Sequence, residues 1–221
     1  MKIKGAIFDL DGTILDSMGI WNELAKRYLS SLGIKAENNL ADVLFDLTIE
    51  EGCCYLREHY NLPFSNEEIN NSLMEILADF YKNEVEPKPY VRELLDFLHE
   101  KNIPMAIASS SDKLLIKASL DRLDLSKYFS HILSCEELGV SKREPTIYNL
   151  SSKLLGSSPN ETLVLEDTLF TVKTAKSSGY VVIAIRDEES ISQRDEISSL
   201  ADFYAEDFRK ALEFLSSNLS F

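Results

Sequence analysis

Cysteine is scarce in this chain of 221 residues, with three copies at Cys53, Cys54 and Cys135. The count is odd and no CxxC spacing occurs, which excludes a disulfide framework and a zinc site, so all three read as small core residues. Histidine is as rare, and His59, His99 and His131 fit no metal-ligand spacing. His59 and His99 fall near the ends of expected helices, where an imidazolium is favoured by the helix dipole, and no catalytic role is assigned to any of the three. Long apolar runs are missing. The longest are strand-sized, so no segment is expected to span a membrane, and the first residues enter a strand directly, without a charged leader, a long apolar stretch or a cleavage site. A cytoplasmic location and a monomeric state are the expectations. Basic residues are in deficit, 23 against 37 acidic, for a net charge of −14. Such a surface argues against nucleic acid as a partner, because phosphate backbones demand positive charge. Internal repeats and low-complexity tracts are absent too.

What is present is an ordinary globular composition, 44% apolar, long enough for one large domain or a core domain with an insert. Strand-like runs at Ile3 to Phe8, Met105 to Ala108, Leu163 to Leu165 and Val181 to Ile185 alternate with helical periodicity, and His131 to Ser134 and Phe203 to Ala205 add two shorter ones. This alternation predicts an α/β fold: a Rossmann-like three-layer core around a parallel sheet. Residues 17–86 break the pattern, being helical throughout, and read as an inserted all-helical cap domain within a core of residues 1–16 and 87–221. Trp21, Leu24, Tyr28 and Leu32 form one stripe of the first cap helix, which stops at Gly33. Thr48 with Glu51, and Ser65 with Glu68, have the spacing of capping boxes that start two further helices. Prolines at 87 and 89 stiffen the return crossing, which with Ile14 to Ser17 suggests a paired hinge.

The most informative run is IKGAIFDLDGTILDS, from Ile3 to Ser17. An apolar strand leads straight into Asp9 and Asp11, and residues two apart on an extended segment project the same way, so both carboxylates can converge on one cation or one phosphate. Gly12 and Thr13 then turn the chain. In open α/β sheets ligands collect beyond the carboxyl ends of strands, which places a reaction centre here.

This DxDGT element resembles the first signature of the haloacid dehalogenase-like superfamily. Three more segments fit the same pattern: MAIASSS ending at Ser111, GVSKREPTIY around Lys142, and TLVLEDTLFTVKTAKSSGY with its acidic pair Glu166 and Asp167. Arg143, Thr146 and Thr171 depart from the usual Pro, Asp and Gly, changes that concern loop shape because no charged group is lost. The resemblance implies phosphoryl transfer through an aspartyl-phosphate. Asp9 would be the nucleophile and Asp11 the general acid and base. Ser109, the amide of Ser110, and Lys142 would bind phosphoryl oxygens. Mg²⁺ would be the cofactor, held by Asp9, Asp167 and the backbone carbonyl of Asp11, with Glu166 reaching it through a water. A cation, Lys142 and helix N-termini would together reverse the sign of an acidic protein inside the cleft.

The resemblance implies a Mg²⁺-dependent phosphatase acting on a small phosphorylated metabolite: a sugar, polyol or nucleotide phosphate. The alternative is a mutase like β-phosphoglucomutase, and a third reading is a catalytically silent binding protein. Mutases of this branch carry a histidine twelve positions after the nucleophile and an arginine where the second cap helix begins. Here those positions hold Trp21 and, approximately, Ile49, which favours hydrolysis. Trp21 itself reads first as a core residue, with contact to substrate from the cap as the alternative. Asp187, Glu188 and Glu189 read as a solvated loop after a strand.

Overall fold

Gly5–Phe8 carries no polar side chain, and all four residues are buried in the first strand, β1. The computed structural model describes residues 1–44 and 47–219. Among them five more strands follow: β2 (Met105–Ser109), β3 (Phe129–Ser134), β4 (Thr162–Glu166), β5 (Val181–Ile185) and β6 (Phe203–Ala205). They form one sheet in the order β3-β2-β1-β4-β5-β6, and every neighbouring pair is parallel. Each expected strand is present; β6, the shortest, stands at one edge and β3, which begins two residues earlier than expected, at the other. β1, β2 and β4 are buried along their whole length, as sheets covered on both faces require.

The chain divides into two compact units, residues 1–17 with 85–219, and Met18–Glu84. The second unit is helical: α1 (Gly19–Ser31), α2 (Leu40–Leu44), α3 (Ile49–His59) and α4 (Asn66–Asn83). Both capping boxes form. Thr48 accepts from the Glu51 amide and Ser65 from the Glu68 amide, and each glutamate answers the amide of its cap residue. α1 lies against α4 and α2 and buries Ile20, Leu24, Tyr28 and Leu29. Trp21, 46% exposed, is not a core residue: the buried stripe enters the first turn at Ile20, and Trp21 flanks it.

The first unit adds α5 (Val91–Glu100), α6 (Lys113–Arg122), α7 (Cys135–Leu138), α8 (Thr146–Leu154), α9 (Leu169–Ser177), α10 (Arg194–Leu200) and α11 (Phe208–Asn218). Side chains of one sheet face, including Ile7, Ala106, Val164 and Val182, share a core with Ile147 and Tyr148 of α8, Val172 of α9 and Ile197 of α10. α5 and α11 pack together, and α11 touches β5 and β6. The two crossings at the unit boundary are hydrogen-bonded to each other within the first unit. Leu15 pairs with Pro87, the Asp16 amide donates to Glu86 O at 2.9 Å, and the Lys88 amide donates to Ile14 O at 2.8 Å.

Gly5 marks a close approach beneath this sheet. A Cβ there would lie 2.6 Å from Ser157 Oγ and 3.2 Å from two carbons of Leu155, and that hydroxyl is already engaged with Thr162 Oγ1 at 2.7 Å. Gly5→Ala is therefore expected to cost about 1–3 kcal/mol through overpacking, read as a lower urea midpoint at unchanged slope. A wild-type midpoint would show that the strand can shift to make room.

Candidate active site

The switch in strand order falls between β1 and β4, where open α/β sheets form their ligand crevice. Register pairs Phe8 with Leu165, and the Asp9 amide donates to Leu165 O at 3.0 Å, so Asp9 leaves β1 level with Glu166 and Asp167 at the end of β4. Carboxylate oxygens of Asp9, Glu166 and Asp167 lie within 4.8 Å of one another, and all three residues are buried. Lys142, also buried, is brought in by the loop between α7 and α8. Its ammonium donates to Asp9 Oδ1 and to Glu166 Oε1 at 2.8 Å.

Three carboxylates and one ammonium are poorly matched without solvent. Burial pushes the Asp9 carboxyl up to about 7 against the pull of Lys142, with Glu166 and Asp11 adding to the rise. Burial, then the charges of Asp9, Glu166 and Asp187, holds the Asp167 carboxyl well above the usual carboxylate range. Lys142 runs the other way: burial opposes its charge, but Asp9 and Glu166 outweigh that and raise it above an ordinary lysine. Glu166 Oε2 is buried with no hydrogen-bond partner. Excess negative charge, hard oxygen donors and an orphaned carboxylate oxygen together fit a hard divalent cation among these residues.

Asp11 does not join the trio. The chain turns at Gly12, whose φ of 78° lies in the left-handed region glycine tolerates, and the Gly12 amide closes the turn on Leu15 O at 3.0 Å. Two hydroxyls then hold the Asp11 carboxylate, Ser17 donating to Oδ1 at 2.7 Å and Ser111 to Oδ2 at 2.5 Å. Thr13 Oγ1 lies 3.4 Å from Asp167 Oδ1, tying the same turn to β4.

Ser109 ends β2 and is buried, and its hydroxyl accepts from the Ser111 amide at 3.0 Å, which leaves its own proton for an incoming acceptor. Ser110 follows, exposed. α6 begins directly afterwards, with Asp112 as N-cap accepting from the Leu114 amide at 2.8 Å. The segment is backed by Ser134, which donates to Ser111 O at 2.7 Å.

Sequence reasoning missed four side chains: Ser17, Ser111, Tyr148 and Asp187. Tyr148 Oη donates to Glu166 Oε1 at 2.6 Å; burial, followed by Glu166, keeps this phenol protonated far beyond the usual range. Asp187 corrects the solvated-loop reading, being 5% exposed. It accepts from Lys88 Nζ at 2.7 Å, and the same ammonium donates to Arg186 O at 2.7 Å, so a buried ion pair ties the loop after β5 to the return crossing. Only Glu188 and Glu189 of that run are exposed. Trp21 and Ile49 both belong to the helical unit, where they are 46% and 54% exposed. No helix among the described residues is long and apolar enough to cross a membrane.

Residues 6–185 match the model of the haloacid dehalogenase-like hydrolase family. The chain is 29% identical over 177 residues to a phosphorylated carbohydrates phosphatase of Thermotoga maritima, covering 80% of this chain and 82% of that protein. It is 28% identical over 218 residues to hexitol phosphatase B of Escherichia coli, covering 93% and 96%. A crystal structure from Thermotoga maritima provisionally named as a beta-phosphoglucomutase superposes with a TM-score of 0.85 at 26% identity, covering 98% of this chain and all of that one, 100%.

The charge imbalance gives a stability prediction. Asp9 holds its proton more tightly folded than unfolded, so between its ordinary value of 3.8 and about 7 the folded protein carries more protons and stability without metal falls as pH rises through that window. Asp167→Asn removes one of the crowded carboxylates. In EDTA at neutral pH its Tm is expected to rise by several degrees, about 2–4 °C per kcal/mol relieved, and added Mg²⁺ is expected to shift it less than wild type. A lower Tm in EDTA would mean that Asp167 contributes stability as an anion.

Proposed function

Because the chain belongs to the haloacid dehalogenase-like hydrolase family, we propose that it is a Mg²⁺-dependent phosphatase that hydrolyses a small phosphorylated metabolite through an aspartyl-phosphate. One observation carries the reading: two aspartates a residue apart occupy different environments. Asp9 sits in the buried trio beside Lys142, while Asp11 stands outside it between Ser17 and Ser111. Pairs of carboxyls set apart in this way divide nucleophilic and acid–base work.

In this mechanism Asp9 attacks the phosphorus of the ester, forming an acyl-phosphate as the ester P–O bond breaks. Asp11, protonated, gives its proton to the departing alkoxide. It then takes a proton from the water that attacks the acyl-phosphate, so that inorganic phosphate leaves and Asp9 is regenerated. Lys142 neutralises one phosphoryl oxygen, and the Ser109 hydroxyl and Ser110 amide receive another at the start of α6. Asp9, Asp167 and the Asp11 carbonyl would hold Mg²⁺, with Glu166 acting through a water. Bound there, Mg²⁺ supplies the positive charge that lets an ionised carboxylate approach a phosphate.

Hydrolysis is favoured over the mutase reading by the helical unit. The positions expected to hold a mutase's histidine and arginine carry Trp21 and Ile49, which offer neither an imidazole proton relay nor a cation. The names of the relatives support placing phosphorylated carbohydrates and hexitols first among substrates, and the unit 18–84 is assigned their selection.

Phosphate release from sugar, polyol and nucleotide phosphates with Mg²⁺ tests the reading. Steady inorganic phosphate from one class is expected, and it should cease in EDTA and return with Mg²⁺. Asp11→Asn should lower kcat by about 10²–10⁴-fold, and Asp9→Asn should leave no turnover above background. Glucose 6-phosphate formed from β-glucose 1-phosphate and a bisphosphate primer, with little free phosphate, would establish the mutase instead. Full activity without metal would remove Mg²⁺ from the mechanism.

A further inference from the structure

Glu166 Oε1 receives two hydrogen bonds, from Lys142 at 2.8 Å and from Tyr148 Oη at 2.6 Å, while its other oxygen, equally buried, receives none. Such an asymmetric carboxylate is costly unless something outside the chain completes it. Tyr148 is fully buried on α8, which packs across β1, β2 and β3. Its ring lies 6.0 Å from that of Tyr180, and Tyr180 is itself fastened to Asn149 at 2.8 Å and to Ser152 at 3.0 Å. The phenol therefore has little freedom and a single proton, already directed at Glu166. An ammonium is different, because Lys142 has three protons and a flexible stem. Without the phenol it can take both oxygens of Glu166, turning the carboxylate about its own axis and loosening the contact with Asp9.

We propose that Tyr148 is a positioning residue: its hydroxyl locks Glu166 so that Oε2 stays available as the acceptor for a water on the bound cation, and so that Lys142 remains shared with Asp9. The inference rests on the Mg²⁺ reading above and deepens it. Outer partners of this kind orient the groups around a metal, and their loss typically weakens metal affinity about 10–100-fold. Tyr148→Phe deletes one oxygen from a well-filled site and retains the ring.

The test is calorimetric titration of MgCl₂ into EDTA-stripped full-length protein, for wild type, Y148F, E166Q and the double variant. Y148F is expected to weaken Mg²⁺ binding about 10–100-fold and to raise by a similar factor the Mg²⁺ concentration giving half-maximal phosphate release. In the E166Q background the same change is expected to add nothing, since the phenol acts through the carboxylate. Wild-type Mg²⁺ affinity in Y148F, or losses that simply add in the double variant, would overturn the role of Tyr148 and leave the metal reading standing. Mg²⁺ binding undetectable even in the wild type would overturn both. Tyr148→Met, also without the hydroxyl, repeats the titration should Y148F fail to fold; a purely structural tyrosine would lower Tm in either variant and leave Mg²⁺ affinity unchanged.

Discussion

Lys142 lies buried between Asp9 and Glu166, one ammonium set against the three carboxylates at the ends of β1 and β4. A buried ion pair repays its desolvation only when geometry and further hydrogen bonds are good, and this one leaves an excess of negative charge uncompensated. The deficit shows in the raised carboxyls of Asp9 and Asp167 and in the orphaned oxygen of Glu166. In the proposed mechanism a divalent cation completes the trio, and a phosphoryl group supplies new partners for Lys142. The acidity of the whole chain, −14, is thereby compatible with an anionic substrate, because the sign of the field is set locally.

The rest of the core places these groups. Parallel pairing of β1 with β4 fixes Asp9 beside the acidic pair, and pairing of β1 with β2 brings Ser109 to the same edge. The glycine turn then carries Asp11 away from the trio to the hydroxyls of Ser17 and Ser111. Two residues of one strand end thus acquire different chemistry through a single tight turn. Behind them, the Lys88–Asp187 pair fastens the return crossing to the loop after β5, and Asp187 adds its charge to the pressure on Asp167.

The sheet was legible because its central strands are short apolar runs that lead into Asp9, Ser109 and Glu166, and a buried parallel strand needs little else. Both capping boxes were legible because each is a local contact across three residues. Asp9 and Asp11 could be singled out because two carboxylates a residue apart close an apolar run, and Lys142, Glu166 and Asp167 because their segments resemble the family's motifs. Ser111 and Asp187 could not. Ser111 meets Asp11 across 100 residues and Asp187 meets Lys88 across 99, and neither partner leaves any trace in its own neighbourhood of sequence. Tyr148 was legible only as the last residue of the GVSKREPTIY segment, since its hydroxyl meets a carboxylate on β4, eighteen residues away. Trp21 misled for a different reason: Ile20 beside it completes the same stripe with Leu24 and Tyr28 and takes the buried place in the first turn.

The most direct measurement is a rapid quench of Asp11→Asn protein with Mg²⁺ and an aryl phosphate, whose phenolate departs without a proton from Asp11, followed by borohydride reduction and peptide mapping by mass spectrometry. With the acid–base group removed, the acyl-phosphate should accumulate, and reduction should mark the peptide holding Asp9. A mark on any other residue, or release of the phenol by the variant with no phosphorylated enzyme at any quench time, would contradict Asp9 as the nucleophile and with it the chemistry assigned to the buried trio.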